Sequence, residues 1–99
     1  MAEVSPTAAI ALAWGMIENS LAEAFSKMSG QTPSNSAIEN ARRLSDTGRI
    51  KKEWFGIIEK MQRLRNVLVH GEHPEVSLTN VKRYADLARR VIAQVQRAQ

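Results

Sequence analysis

Large apolar residues recur along the first third of the chain at spacings of four and three. The series is Ile10, Trp14, Ile17, Leu21, Phe25 and Met28. At about 100° of rotation per residue these positions fall on one face of an α-helix. No stretch alternates between apolar and polar residues for long enough to predict a strand. The pattern therefore predicts an all-α fold in which the first helix lays one apolar stripe on the core.

Capping residues divide the first half of the chain into two helices. Ser5 suits a helix N-cap and Pro6 the first helical position, where a missing N–H does no harm. The first helix should end at the loop that contains Gly30. Ser36 and Glu39 form a capping-box pattern for a short second helix, which should close at the Asp-Thr-Gly sequence that follows.

Two longer helices should complete the chain. The third runs from about Ile50 to Val69, with a main stripe of Ile50, Trp54, Ile57, Met61, Leu64 and Leu68. The fourth, capped by Ser77 or Thr79, has an inward stripe of Leu78, Val81, Ala85, Ala88, Ile92 and Val95, with Tyr84 at its edge. We predict a four-to-five-helix up-and-down bundle, one domain over residues 1–99. Its core should contain Trp14, Leu21, Trp54, Met61, Leu64 and Ile92.

The third helix carries more apolar residues than one core contact needs. Phe55, Ile58 and Val69 widen its apolar arc beyond the main stripe. Either the helix is central and packed on two sides, or one side serves the core and the other a second subunit. We favour the second interpretation, because a bundle this small has few layers, and we expect a homodimer.

Charge is distributed unevenly along the chain. Residues 1–40 hold one basic residue and four acidic ones, a net of −3, whereas residues 41–99 hold thirteen basic and six acidic residues, a net of +7. A basic half suits either a nucleic-acid surface or merely solvated helix faces. The absence of cysteine excludes disulfides and thiolate chemistry. The apolar run from Ala8 to Ile17 lacks a preceding cation and is too short to span a bilayer, so we expect a cytoplasmic protein without membrane contact.

Reactive side chains are densest in the segment Arg65-Asn66-Val67-Leu68-Val69-His70, which precedes a glycine suited to end a helix. Arginine binds phosphate oxygens through a planar fork, and histidine carries protons near neutral pH. On a helix Asn66 and His70 share a face, whereas Arg65 lies about 140° from His70. One straight helix therefore does not assemble all three, and either the last turn unwinds or a second copy completes the site.

This segment resembles the signature of the HEPN superfamily of small all-helical domains. The family's arginine, polar residue and histidine match Arg65, Asn66 and His70. A Trp-x-x-Ile-Glu element in the first helix, ending at Glu18, extends the likeness. Many members are metal-independent ribonucleases, often toxins or defence proteins, and others are inactive dimers. The resemblance implies that Arg65, Asn66 and His70 form an active site at a dimer interface.

The resulting expectation is a metal-independent endoribonuclease that uses no cofactor. Two histidines in a dimer supply a base for the ribose 2′-OH and an acid for the leaving oxygen, while arginine stabilises the phosphorane. Arg63, Lys82 and Arg83 are the cations expected to contact RNA. An antitoxin protein is a further expected partner.

Alternatives remain for each residue and for the whole chain. Arg65 can form a salt bridge to Glu18. His70 can help to end the helix, and Asn66 can form a hydrogen bond with the following loop. A metal site at His70 and His73 has no strong ligand spacing in its favour. The chain can then be a catalytically silent HEPN-like dimer that binds RNA, nucleotide or protein, or a plain helical interaction module.

Overall fold

The computed structural model describes residues 5–69 and 77–98, and the side chain of Val69 is not among the described parts. Four helices follow in chain order: α1 (Pro6–Ser29), α2 (Ala37–Asp46), α3 (Lys52–Val69) and α4 (Leu78–Arg97). Within these ranges the chain contains no strand, which confirms the all-α prediction. His70 lies outside the described residues. None of the described helices is long and apolar enough to span a membrane.

Hydroxyl side chains begin three of the helices as the sequence predicts. The Oγ of Ser5, Ser36 and Ser77 each accepts a hydrogen bond from a backbone N–H three residues later, at 3.0, 3.2 and 3.1 Å. Gly30 ends α1 with a left-handed φ of 69°, which glycine adopts without steric cost, and its N–H donates to the carbonyl of Ser26. Local chemistry therefore fixes these helix ends.

The core is one continuous cluster built around α1. Helix α1 packs chiefly against α4 and α2, and its Trp14, Ile17 and Leu21 are almost completely buried in the cluster. The predicted core residues Trp14, Leu21 and Met61 are confirmed. Trp54 and Ile92 pack against the cluster but are only partly buried.

The buried face of α3 differs from the predicted one by part of a turn. Ile58, Met61 and Leu68 are buried, whereas Leu64, predicted to lie in the core, is 46% exposed. The reason is that α3 packs more closely against α1 and α2 than against α4. Its apolar face turns toward α1 and α2, and Leu64 is left beside an opening between α3 and α4.

The buried face of α4 is also rotated from the prediction. Its buried residues are Tyr84, Ala88, Val91 and Val95, spaced by four, three and four. Leu78, predicted to point inward, is 69% exposed. It lies about 120° around the helix from Tyr84, which places it outside the buried stripe.

Candidate functional site

Two of the three predicted catalytic residues contact each other near the C-terminal end of α3. The Nη1 of Arg65 donates a hydrogen bond of 3.0 Å to the Oδ1 of Asn66. Neighbouring residues point about 100° apart on a helix, so the long arginine side chain curves around α3 to reach the carboxamide. The third residue, His70, lies outside the described residues.

The guanidinium of Arg65 has no neutralising partner in the part of the chain that the structure describes. No carboxylate there lies within 4.0 Å of it, so the alternative salt bridge to Glu18 is absent. The Nε of Arg65 is shielded from solvent and has no hydrogen-bond partner among the same residues. A partly buried cation costs folding free energy unless a counterion balances it, and residues 5–69 and 77–98 supply none for Arg65, which keeps it a candidate site residue.

Tyr84 connects this region of α3 to α4. Its side chain is buried, and its hydroxyl donates a hydrogen bond of 3.1 Å to the carbonyl of Met61. Burial raises the pKa of Tyr84 well above its ordinary value, and the nearby positive charge of Arg65 partly opposes this rise. The neutral phenol therefore donates a hydrogen bond that connects α4 to α3. The sequence placed Tyr84 at the edge of the apolar stripe, a position from which it can pack or donate such a bond.

An apolar groove of about 430 Å³ lies between α3 and α4. Its floor consists of buried and partly buried side chains from three helices: Ile10, Ile57, Met61, Leu68, Tyr84 and Leu87. Leu64 and Val67 form an exposed apolar wall on α3, at 46% and 45% exposure. The groove follows from the rotation of α3, because the residues that turn away from α1 and α2 line it.

Exposed polar side chains surround this groove. Lys60 on α3 and Asn80 and Arg83 on α4 belong to its lining. Of the cations predicted to contact RNA, Arg83 lies at the groove, whereas Arg63 and Lys82 are exposed but do not line it. The sequence prediction missed Lys60. Its spacing of four residues before Leu64 was the available signal, since these positions share a helix face.

Metal ligands do not cluster in the described ranges, 5–69 and 77–98. No group of three or more histidine, cysteine, aspartate or glutamate side chains there is placed to hold a metal ion. The candidate residues His70 and His73 lie outside these ranges. Metal-independent chemistry therefore stays a prediction.

Comparison with protein-family models, curated proteins and solved structures finds no match to the chain. The resemblance of residues 65–70 to the HEPN signature stays a prediction from the sequence. The chemistry of the site must be inferred from its own side chains, of which the Arg65–Asn66 pair is the most distinctive.

Proposed function

We propose that the chain is a HEPN-like helical domain that cleaves RNA without a metal ion, through Arg65, Asn66 and His70. The observation that supports this proposal is the Arg65–Asn66 hydrogen bond together with the missing carboxylate partner of Arg65 among the described residues. A positioned guanidinium that no described carboxylate neutralises suits the binding of phosphate.

Each motif residue has one role in the proposed reaction. His70 of one subunit takes the proton of the ribose 2′-OH, whose oxygen forms a bond to phosphorus while the bond from phosphorus to the 5′-oxygen breaks. His70 of the second subunit protonates the leaving 5′-oxygen. Arg65 stabilises the negative charge on the phosphorane. Asn66 holds Arg65 through Oδ1, which leaves its Nδ2–H donors for the phosphate or an imidazole.

A homodimer through α3 and the motif end would supply the two imidazoles that this mechanism needs. Leu64 and Val67 are exposed near that end of α3, where a second copy would bury them. Arg63, Lys82 and Arg83 are exposed cations suited to contact the RNA backbone. The same proposal includes a role for the chain as a toxin or defence effector in the cytoplasm, with an antitoxin protein as its partner.

The test is cleavage of a single-stranded RNA by the purified chain in EDTA. We expect products that end in a 2′,3′-cyclic phosphate, identified by mass spectrometry. Arg65→Ala and His70→Ala should each abolish cleavage, whereas His73→Ala, the matched change of the other histidine, should preserve it. Cleavage that needs a divalent metal, or that survives in His70→Ala, would overturn the proposal.

The apolar groove favours a second candidate function. The ribonuclease mechanism does not use its floor, and binding sites in helical proteins are commonly apolar clefts with a few polar groups at the edge. A catalytically silent HEPN-like module that binds RNA, nucleotide or protein would use this groove. RNA binding without cleavage at any tested pH would favour this candidate.

A further inference from the structure

The groove between α3 and α4 exposes an apolar surface that the described residues, 5–69 and 77–98, leave uncovered. Leu64 and Val67 stand beside a cavity of about 430 Å³, each close to half exposed. Water in contact with large apolar side chains is unfavourable by about 25 cal/mol per Å² of apolar area, and a docked apolar surface recovers this free energy. Exposed apolar grooves of this kind are typical of binding sites.

The walls of the groove determine which backbone conformation can bind in it. Both walls are helices, whose backbone N–H and C=O groups are already paired within each helix. An extended segment would place its own N–H and C=O groups in an apolar groove without partners. A helix pairs these groups internally and presents side chains at positions i, i+3, i+4 and i+7. The groove extends from Ile57 to Leu68 along α3, about three helical turns.

The charges at the groove determine what the outer face of such a helix should carry. Lys60 on α3 and Arg83 on α4 lie on opposite sides, and both are exposed. Within residues 5–69 and 77–98, no carboxylate lines the groove and neither cation has an ion pair. A second copy of the chain carries a net charge of +4, so it complements Lys60 and Arg83 less well than an acidic partner does. A partner with carboxylates beside its apolar residues complements both the groove and its edges.

We propose that the groove binds an amphipathic helix of a partner protein, with apolar side chains in the groove and acidic side chains against Lys60 and Arg83. Leu64 and Val67 belong both to this groove and to the proposed dimer contact. A bound helix therefore excludes the second copy and acts as an inhibitor, a consequence that rests on the proposed ribonuclease function.

Fluorescence anisotropy with labelled synthetic helices tests this proposal on the whole chain. One peptide of about 15 residues carries leucines at i, i+3, i+4 and i+7 flanked by glutamates, and a second carries lysines in place of the glutamates. The acidic peptide should bind at least about tenfold more tightly than the basic one. Lys60→Glu combined with Arg83→Glu should reverse this preference. Arg63→Glu combined with Lys82→Glu changes the net charge by the same amount at positions outside the groove. This control variant should retain the preference for the acidic peptide.

A second pair of variants tests the apolar wall. Leu64→Ser combined with Val67→Ser should weaken binding of the acidic peptide at least about tenfold. Each substitution removes an apolar side chain that the docked peptide would bury. Leu12→Ser combined with Met16→Ser is the matched control, since both residues are exposed on the face of α1 opposite the core. Circular dichroism melts serve to check that every variant folds.

Several outcomes would overturn the inference. Equal affinity for the acidic and basic peptides would show that Lys60 and Arg83 do not select the partner. Undiminished binding in the Leu64 and Val67 variant would place the peptide elsewhere. Loss of self-association alone, without any peptide binding, would assign the groove to a second copy. Failure of RNA cleavage leaves peptide binding unaffected, so the two proposals fail separately.

Discussion

Arg65 is the residue at which stability and proposed function oppose each other. Its Nε is shielded and has no hydrogen-bond partner in the described ranges, and no carboxylate there balances its charge. We expect Arg65→Met to leave the free energy of unfolding unchanged or to raise it by about 1 kcal/mol, because the methionine buries no unmet donor. The same variant should lose RNA cleavage. Urea unfolding and the cleavage assay measure the two effects.

A structural role for Arg65 predicts the opposite result. If the arginine held the helices together, Arg65→Met would lower the free energy of unfolding by more than about 2 kcal/mol. Arg89→Met is the matched control, since Arg89 is exposed and pairs with Asp86 in an ion pair whose loss has little effect. Comparison of the two variants separates the loss of a surface charge from the loss of Arg65.

Tyr84 should make stability depend on alkaline pH. Burial raises its pKa in the folded chain well above the ordinary value of about 10. Above about pH 10 the unfolded tyrosine has released its proton while the folded one retains it, so the folded state binds more protons. The free energy of unfolding therefore falls as pH rises, by up to about 1.4 kcal/mol per pH unit.

Tyr84→Phe isolates this effect. At neutral pH the variant should be less stable by about 0.5–1.5 kcal/mol, because it loses the hydrogen bond to the carbonyl of Met61. Above pH 10 the difference between the two proteins should shrink, since phenylalanine has no proton to release. A constant difference across the pH range, measured by urea unfolding, would show that the hydroxyl is not desolvated.

Among the elements, the connection between α1 and α2 depends on Asn40. This residue is buried, accepts a hydrogen bond of 3.0 Å from the N–H of Ser34 and donates one of 3.0 Å to the carbonyl of Ser34. Asn40→Ala should lower the free energy of unfolding by about 1–3 kcal/mol per group left unmet. Asn35→Ala, an exposed position in the same loop, should change it by less than about 0.5 kcal/mol. Equal effects in thermal melts would contradict this role for Asn40.

The helices show what a single sequence specifies and what it leaves open. Caps depend on neighbours within four residues, so the ends at Ser5, Gly30, Ser36 and Ser77 were predictable. The rotation of α3 was not predictable, because its apolar residues cover a wider arc of the helix than a single packing contact buries. Both Ile58 and Leu64 satisfy helical spacing, and only packing against α1 and α2 buries the first and exposes the second. The groove arises from this tertiary choice.

At the scale of the whole molecule, the sequence predicts the candidate site in part. It identifies Arg65 and Asn66 as chemistry-bearing residues, but ideal helix geometry separates neighbours by about 100° and gives no sign of their hydrogen bond. The length and flexibility of the arginine side chain make that contact possible. Lys60 and Arg83 line the same groove because α3 and α4 contact each other little, a tertiary arrangement that no local pattern encodes.

The whole-molecule prediction concerns how two copies share one site. If one imidazole acts as base and another as acid, cleavage should follow a bell-shaped pH profile. A mixture of Arg65→Ala and His70→Ala chains forms mixed dimers with only one His70, so these dimers should stay inactive. Strong activity in the mixture would show that one Arg65 acting across the interface on one His70 suffices, which contradicts the two-histidine mechanism but retains a shared site. Light scattering that finds only monomer at high micromolar concentration would remove the shared site itself.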